Sequence, residues 1–301
     1  MRLGIALEGG AERSAFTAGV LDQIMEAGLP VTHITGTSAG AGCAMNFRSG
    51  QPGISFEMMI LPPKERYFGI ANFLRTGKFI HLDHMANLYA KRLNFKQFFH
   101  STIHTDFTAT CCETGEAVYL TEEGSIKRLL QTLKATCALP IVCSPVEVDQ
   151  AHFVDGSITD PIPFQHLLDC GCDKVIVILT GTTDCKPTDY TKFKPLLWKF
   201  YHNTYPELYH TILNRIQQYD KETQKMQQAE KAGQVYVLRP QEQSIPLFTQ
   251  NPNQITSYYN HGKKLATSLL PDILDWMQGV TKPEHVMQSY DILSMSYATV
   301  S

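Results

Sequence analysis

This sequence has few charged residues and no long hydrophobic run, and both shortages exclude classes of protein. Charged residues make up 18% of the 301 positions and hydrophobic residues 43%, which is enough for a sizeable buried core and argues against disorder. The formal net charge of −3 lacks the basic excess with which proteins bind a nucleic-acid backbone. We therefore expect one large domain or two small ones, with no nucleic-acid partner.

Segments typical of export or of membrane spanning are also missing. The longest purely aliphatic run is Val175–Leu179, far below the roughly 20 apolar residues of a spanning helix. The apolar run near the N-terminus, Leu3–Leu7, is too short for the hydrophobic region of a signal peptide. These absences predict a soluble, cytoplasmic protein and leave peripheral contact with a membrane surface open.

Cysteine is present at eight positions, but no two form the C-x-x-C pair that is common in zinc sites. Most of the eight lie in apolar stretches of a long chain without a visible export signal. Reduced cysteines in the core are therefore favoured over disulfides. We expect neither a metal site nor a cofactor.

What the sequence does have is an alternation of strand and helix patterns. Arg2–Leu7 and Val31–Thr35 are short β-branched and aliphatic runs typical of buried strands. Between them, residues 14–28 carry apolar side chains at helical spacing, and an alanine- and glycine-rich helix is predicted after Gly40. This order indicates an α/β fold in which helices pack on a parallel sheet.

The rest of the chain continues the sheet around an irregular insert. Residues 50–100 mix proline, glycine, aromatic and basic residues without a period, which predicts short helices and loops. Beyond them, the patterns predict two hairpins with turns at 113–115 and 149–150, helices at 125–138, 207–231 and 255–279, and strands at 173–181 and 234–240.

The stretch GTSAG at Gly36–Gly40 has the pattern G-x-S-x-G between a predicted strand and a predicted helix. Its glycines permit a sharp turn that exposes the Ser38 hydroxyl, and the N–H groups at the start of the helix favour negative charge. In this context the pattern favours a nucleophile over an ordinary loop. An α/β-hydrolase is not favoured, because that fold completes several strands before its nucleophile and only one strand–helix unit precedes Ser38.

A second glycine turn, Gly9–Gly10, lies between the first strand and the first helix. Its backbone N–H groups can point into the same crevice as the serine and form an oxyanion hole. A phosphate-binding loop is the alternative. Neither the G-x-G-x-x-G pattern of a dinucleotide site nor the lysine of a P-loop is present, so the alternative is weaker.

The base that would take the serine proton is less clear from the residues alone. Asp155-Gly156 directly follows a predicted strand, although an Asp-Gly pair is more often a simple turn. Histidine offers a rival Ser-His-Asp triad, since His33 precedes the serine turn and His152 and His166 flank Asp155. Each of the three is more often a surface or core histidine, and the residues leave both schemes open.

Three motifs in order, EGGAERS with AGVL, then GTSAG, then VDG, resemble those of the patatin-like phospholipases. The resemblance implies a three-layer α/β/α fold with a central, mostly parallel sheet and a nucleophile elbow after the second strand. It implies a dyad without histidine, in which Ser38 is the nucleophile and Asp155 the base. It also assigns residues 1–180 to a catalytic domain, 181–280 to an extension packed on it, and 281–301 to a tail of unknown structure.

The resemblance extends to the residues around the dyad. It implies that Gly9, Gly10 and Ala11 supply the oxyanion-hole N–H groups and that Arg13 supports their loop. The glycines that shape the elbow and the dyad turn are Gly36, Gly40 and Gly156. The chain departs from the family pattern at two positions of the first motif, where Ala11 replaces the third glycine and Ser14 the closing small residue.

These features predict a serine hydrolase of lipid acyl esters, of the phospholipase A, lysophospholipase or esterase type, that works through an acyl-enzyme. The two departures motivate an alternative, a lipid-binding or regulatory protein with an inactive site. An acyltransferase is a further alternative, since an alcohol can resolve an acyl-enzyme. The sequence leaves the oligomeric state open, and the thin apolar stripe of residues 207–231 favours a helix lying solvated on the core over one that pairs with another subunit.

The expected partner is a lipid or another acyl ester, with peripheral membrane contact as an open question. The aromatic insert Phe56–Phe99 either forms an apolar entrance with a basic rim, suited to a membrane surface, or packs its aromatics inward as a cap. The inward-packed cap is slightly favoured. The basic residues in question are Lys64, Arg66, Arg75, Lys78, Lys91 and Arg92.

Overall fold

The computed structural model describes residues 1–280, and one mixed β-sheet runs through this region. The tail assigned to residues 281–301 lies outside the described residues. The strands are β1 (Leu3–Leu7), β2 (Val31–Thr37), β3 (His104–Cys111), β4 (Ala117–Thr121), β5 (Val146–Val148), β6 (Ala151–Asp155), β7 (Lys174–Ile178) and β8 (Val235–Leu238). The α-helices are α1 (Ser14–Glu26), α2 (Ala39–Arg48), α3 (Ile54–Met59), α4 (Ile70–Thr76), α5 (Leu82–Arg92), α6 (Phe95–His100), α7 (Ile126–Thr136), α8 (Phe164–Asp169), α9 (Lys194–Leu197), α10 (Pro206–Leu213), α11 (Arg215–Lys231) and α12 (Pro252–Met277).

The sheet has a parallel part, and antiparallel strands pair with both edges of its last strand, β3: β4 lies along one edge, and β6 lies along the other, beyond the end of β2. The strand order is β5-β6-β3-β2-β1-β7-β8, and β4 also pairs with β3. Neighbours in the series β3-β2-β1-β7-β8 are parallel. The pairs β3–β4, β3–β6 and β5–β6 are antiparallel. The predicted mostly parallel α/β sheet is therefore confirmed.

Helices cover both faces of this sheet, so the fold has three layers. Successive side chains of a strand point to opposite faces. Leu3, Ile5 and Leu7 of β1 belong to a core that includes side chains of α1, α2 and α12. Ala6 belongs to a second core, which includes side chains of α8 and α11. Burial on both faces explains why the strand patterns were continuous aliphatic runs rather than alternating ones.

Two glycines bring the last helix close to the first. A Cβ at Gly19 of α1 would lie 2.1 Å from the carbonyl oxygen of Tyr259, and one at Gly262 of α12 would lie 2.2 Å from that of Phe16. Neither position has space for a side chain, so the glycines permit this crossing. The C-terminal residues complete the core of the N-terminal part, where the Trp276 side chain is fully buried.

The long polar helix predicted at 207–231 is wrong in one respect, because the structure has two helices there. α10 ends at Leu213, and Asn214 has φ −92° and ψ 4° before α11 begins. After this break the Arg215 side chain lies against the loop that follows β6, where its Nε donates to the Ser157 carbonyl oxygen at 2.9 Å. Periodicity could not indicate the break, since the apolar stripe is thin on both sides of it.

The insert has the short helices that were predicted, and its aromatics are divided between two environments. Phe68, Tyr89 and Phe98 are buried, whereas Phe73 of α4 is 51% exposed. No helix within residues 1–280 is both long and apolar enough to cross a membrane.

Candidate active site

Two strands meet end to end on β3, and their junction brings Ser38 and Asp155 together. Thr108 of β3 pairs with Thr37 of β2, and the next residue, Ala109, pairs with Asp155 of β6. Because β4 pairs with the same stretch of β3, it occupies the other edge, and β2 and β6 share one edge. Ser38 directly follows Thr37, so the serine and the aspartate lie at the same junction.

The backbone at Ser38 is strained. Its φ of 56° and ψ of −124° lie outside the regions that non-glycine residues normally occupy. The turn also needs small neighbours, since a Cβ at Gly36 would lie 2.5 Å from backbone atoms of Gly40. Ser38 is thus held on a tight strand-to-helix elbow, as the G-x-S-x-G pattern predicted.

Thr136, at the end of α7, holds this elbow through its hydroxyl group. Its hydroxyl accepts a hydrogen bond from the Ser38 backbone N–H at 2.9 Å and donates one to the Thr108 carbonyl oxygen at 2.6 Å. The strained turn is therefore tied to the strand on which the junction is built.

The Asp155 carboxyl is fully buried and only partly satisfied. Oδ1 accepts a hydrogen bond from the Ser157 backbone N–H at 2.9 Å, while Oδ2 makes no hydrogen bond of good geometry with the described residues. Burial raises the pKa of Asp155, and the nearby Ser38 hydroxyl lowers it by a smaller amount. The result is a buried carboxyl with one free oxygen beside a serine hydroxyl.

The glycine turn after β1 lies against this serine. A Cβ at Gly9 would lie 3.0 Å from the Ser38 Cβ, and one at Gly10 would lie 2.4 Å from the Thr180 hydroxyl oxygen. Within residues 1–280, the N–H groups of Gly9, Gly10 and Ala11 donate no hydrogen bond to protein. Free backbone donors beside a serine are what an oxyanion hole requires.

Ala11 takes the position at which the family pattern has glycine, and its backbone shows why glycine suits it. Its φ is 45°, in the left-handed region that favours glycine. Arg13, to which the family resemblance gave the role of supporting this loop, makes a contact of that kind: its Nε donates to the Ile245 carbonyl oxygen at 2.7 Å. The Glu12 N–H donates to the Leu247 carbonyl oxygen at 3.0 Å, so two bonds hold the loop against residues 245–247.

An inner pocket opens beside Ser38 and is walled mainly by the insert. It encloses about 700 Å³ of empty space, part of it open to solvent. Most of its lining is apolar: Met58, Met59, Phe68, Ile80, Met85, Leu133, Leu139 and Phe248. Glu12 is the charged residue of this lining; it is 3% exposed, and its Oε2 has no hydrogen-bond partner among the described residues. Burial raises the pKa of Glu12 to about 8.

An outer pocket lies on the other side of the serine. Ser38 and the glycine turn form part of its wall, and the remainder comes from residues 139–142, 188–193 and 247–248, with Arg215. Arg215 is the charged residue of this lining, and its charge lowers the pKa of Asp155. The serine therefore lines both a mainly apolar pocket and a second pocket that has a cation in its wall.

The rival histidines lie elsewhere. His33 and His166 both contact Asp106, at 2.5 and 2.8 Å, and His33 is at the start of β2, whereas Ser38 follows its end. His152 is hydrogen-bonded to Glu113 at 2.9 Å. The geometry offers no support for a Ser-His-Asp triad at Ser38 built from these three residues.

A grouping that sequence spacing did not reveal is the one around Asp106. Ligand atoms of His33, Asp106 and His166 lie within 4.8 Å of one another, a spacing at which they could hold a metal ion. The eight cysteines are free thiols, as expected.

Comparison of the sequence with known protein families identifies one to which the chain is matched. A family model described as patatin-like phospholipase matches residues 5–168, over half of the chain. The chain belongs to the patatin-like phospholipase family. The matched range contains both Ser38 and Asp155, and the family supports a lipid hydrolase in general terms. A model described as a domain of unknown function, DUF6363, matches residues 205–278.

The individual relatives have low sequence identity to this chain. The uncharacterized protein YjjU of Escherichia coli strain K12 is 28% identical over 193 residues, which cover 60% of this chain and 52% of YjjU. The chain thus spans about half the length of that relative. VipD from Legionella pneumophila has a TM-score of 0.46 at 13% identity, over 90% of this chain and 67% of VipD. The type III effector protein ExoU has a TM-score of 0.40 at 11% identity, over 90% of this chain and 52% of ExoU.

Three residues of the site were not among those predicted. Thr136 is the last residue of an amphipathic helix, Glu12 lies within the first motif, and Arg215 belongs to a polar stretch. The position of Glu12, between a glycine turn and a largely apolar helix, was the one usable signal in the sequence. The other two act across 98 and 58 residues of chain, which spacing does not encode.

Proposed function

We propose that this protein is a serine hydrolase of lipid acyl esters, with Ser38 as nucleophile and Asp155 as general base. One observation carries the proposal: β2 and β6 meet end to end on β3, so that a strained serine adjoins a buried carboxyl with a free oxygen. Nucleophile and base on rigid strands, with no group between them, suit direct proton transfer.

The reaction would run in two steps. Asp155 takes the proton of the Ser38 hydroxyl while Oγ attacks the ester carbonyl, and the N–H groups of Gly9, Gly10 and Ala11 stabilise the oxyanion. Collapse of the tetrahedral intermediate breaks the bond to the alcohol, which leaves with the proton from Asp155. Water then attacks the acyl-enzyme, again giving its proton to Asp155, and the acid is released as Ser38 regains a proton.

The raised pKa of Asp155 supports this role. A carboxylate at its usual pKa of about 4 is a weak base towards a hydroxyl group. Burial makes the anion less stable and raises the pKa of Asp155, so the proton is held more firmly once transferred. Arg215 opposes this change, because its positive charge stabilises the anion.

The two pockets suggest how a lipid would bind. The inner pocket is mainly apolar and suits the acyl chain, whose burial contributes roughly 0.8 kcal/mol per CH₂ group. The outer pocket would receive the alcohol part, where Arg215 would favour a negatively charged group such as a phosphate. A phospholipid is thus the preferred substrate class.

Peripheral membrane contact is part of the proposal. Large apolar side chains are exposed near the outer pocket, where Val142 and Phe193 line the wall. This mouth patch consists of Val142, Phe193, Leu196, Trp198 and Phe200, all at least 37% exposed. Lysines at 192, 194 and 199 lie in the same stretch of chain and would favour an anionic surface.

A fluorophosphonate probe tests the nucleophile directly. The wild-type protein should be labelled on Ser38 and should release fatty acid from phospholipid vesicles, whereas S38A should do neither. H152N is the matched control, because His152 lies outside the junction and pairs with Glu113. A wild-type protein that is neither labelled nor active on any acyl ester would support the inactive, lipid-binding alternative. Products esterified to added glycerol rather than free acid would support acyl transfer.

Vesicle co-sedimentation tests the membrane contact separately. W198D and F200D should reduce the fraction of protein bound to anionic vesicles, while turnover of a short soluble ester stays near the wild-type value. Unchanged binding in both variants would contradict a role for the mouth patch.

A further inference from the structure

Asp106 is surrounded by three imidazole rings at the end of the sheet remote from Ser38. Its Oδ2 lies 2.5 Å from Nε2 of His33 and 2.8 Å from Nε2 of His166. Its Oδ1 lies 3.1 Å from Nε2 of His104. Three ring nitrogens thus converge on one buried carboxylate.

The sheet register explains why these residues meet. His33 of β2 pairs with His104 of β3, and Asp106 lies two residues further along β3, so its side chain is on the same face as that of His104. His166 belongs to α8, which packs on this part of the sheet. Ser38 lies five positions after His33 along the chain, about 16 Å at the usual rise per residue of a strand. The cluster is therefore distinct from the serine site.

We propose that His33, Asp106 and His166 form a binding site for a divalent transition-metal ion, best suited to Zn²⁺. His104, whose half-exposed ring lies 3.1 Å from the other oxygen of Asp106, would become the fourth ligand by turning towards the ion. Imidazole nitrogen and carboxylate oxygen are ligands that Zn²⁺ takes in four-coordinate tetrahedral sites. The donor atoms of His33, Asp106 and His166 already lie within 4.8 Å of one another.

The geometry needs only a small adjustment to receive the ion. In a tetrahedral zinc site with donors at about 2.0–2.1 Å from the metal, neighbouring donors are ~3.3 Å apart. The two shortest nitrogen–oxygen separations are 2.5 and 2.8 Å. Moving these donors apart by less than about 1 Å would make room for zinc, which would replace the N–H protons that now point at Asp106.

Contacts around the cluster would fix the ligands. The His166 ring stacks on Tyr119, with ring centroids 3.5 Å apart and planes 5° from parallel. The Tyr119 hydroxyl donates to Asp160 Oδ2 at 2.6 Å, which orients that ring in turn. Outer contacts of this kind position metal ligands.

Burial and exposure indicate a structural ion with a route of access. The side chains of His33 and Asp106 are 3% and 4% exposed, whereas that of His104 is 47% exposed. An ion could enter past His104 without unfolding of the sheet. Once bound, it would join β2, β3 and α8, so its main effect would be on stability.

Zinc binding by the full-length protein tests the proposal. The chain is stripped with EDTA, dialysed, and equilibrated with Zn²⁺ alone, and bound zinc is measured by elemental analysis. We expect one zinc per chain, and thermal unfolding at a higher temperature when zinc is present. H166N and H104N should each weaken zinc binding at least about tenfold and lose most of the thermal shift.

Two control variants distinguish this cluster from other zinc ligands. H152N removes a histidine outside the cluster, and C170S removes the thiol that lies 3.7 Å from the His166 ring. Both should bind zinc as the wild type does. If the wild type binds no zinc at about 100 µM, a concentration at which even weak surface sites begin to fill, the proposal is overturned. Unchanged zinc binding in H166N and H104N would also overturn it.

Cooperative urea unfolding identifies variants that have simply misfolded. If H166N unfolds cooperatively yet binds no zinc, the cluster is the site. If C170S alone loses zinc, the ligands are different and the proposal fails. Ser38 labelling by the fluorophosphonate probe is read independently, so a failed zinc site and a failed serine site give different results.

Discussion

Asp106 and Asp155 are two buried carboxyls on neighbouring parts of the same sheet, and their surroundings are opposite. Three imidazole rings lie around Asp106 and hold the pKa of that carboxyl well below its usual value. One backbone N–H is bonded to Asp155, and burial raises the pKa of that group. The anion is stabilised at one site and destabilised at the other. Only the second is arranged to take up a proton.

The backbone follows the same division. On the Asp106 side, His33 pairs with His104 of β3 and lies next to a register shift between β2 and β1. On the Asp155 side, β2 is followed directly by the strained residue Ser38. Strain and an unpartnered carboxylate oxygen both lower stability, and proteins retain them where they serve a function. Under the proposed function, one end of the strand stabilises the fold and the other end carries the chemistry.

The largest effect should come from Asp155. D155N should lower kcat/KM for an acyl ester by at least about 10³-fold, because an amide cannot accept the Ser38 proton. The free energy of unfolding should stay the same or rise, since the amide is neutral and its oxygen can still accept the Ser157 N–H. Steady-state kinetics and urea unfolding measure the two quantities. Residual activity above a tenth of wild type would remove Asp155 from the base role.

D106N should have the opposite profile. It removes the charge that two rings bond and a third contacts, so the free energy of unfolding of chelator-treated protein should fall by about 3 kcal/mol. The folded fraction should lose far less activity than D155N does. If D106N matched D155N in kcat/KM at unchanged stability, the division between the two ends of β2 would be wrong.

The raised pKa of Glu12 should make both substrate binding and stability depend on pH. Above pH of about 8 its carboxyl ionises in the apolar pocket, so KM for a long-chain ester should rise. The free energy of unfolding should also fall as pH rises from 4.5 towards 8, because the folded state holds this proton more tightly than the unfolded chain. E12Q cannot ionise and should show neither change. An identical alkaline rise of KM in E12Q would exclude Glu12 as its source.

Arg215 should shift the acid limb of activity. Its charge lowers the pKa of Asp155, so in R215Q that pKa should be higher and kcat/KM should be lost at a higher pH than in wild type. R215K keeps the charge and should keep the limb near its wild-type position. If R215Q and R215K moved the limb equally, the cause would be the lost hydrogen bond to Ser157 rather than the charge.

The limits of prediction from sequence follow from where these contacts lie in the chain. Features that depend on local patterns were predictable: the strands, the elbow at Ser38, and the hairpin turn at Asp149 and Gln150. Both residues of that turn have positive φ. The environments of Asp106 and Glu12 depend on residues brought together by the fold. His33 and Asp106 are 73 positions apart, and Glu12 contacts Leu247 near the other end of the chain. Motif resemblance indicated Asp155 because it carries information on tertiary contacts that periodicity lacks.

The smallest effect concerns Ala11, where the family pattern has glycine. Relief of its left-handed backbone should stabilise A11G by about 1–2 kcal/mol, and the greater freedom of glycine in the unfolded chain should offset about 0.4–1 kcal/mol of that. Unfolding free energy should therefore change little, and kcat/KM should rise no more than about threefold if the oxyanion N–H groups are already in place. A rise in kcat/KM above tenfold would show that alanine impairs the oxyanion hole. That result would favour the alternative in which the wild-type protein binds lipid at an inactive site. The comparison of A11G with wild type on one ester, with S38A as the blank, thus measures how far this site is arranged for catalysis.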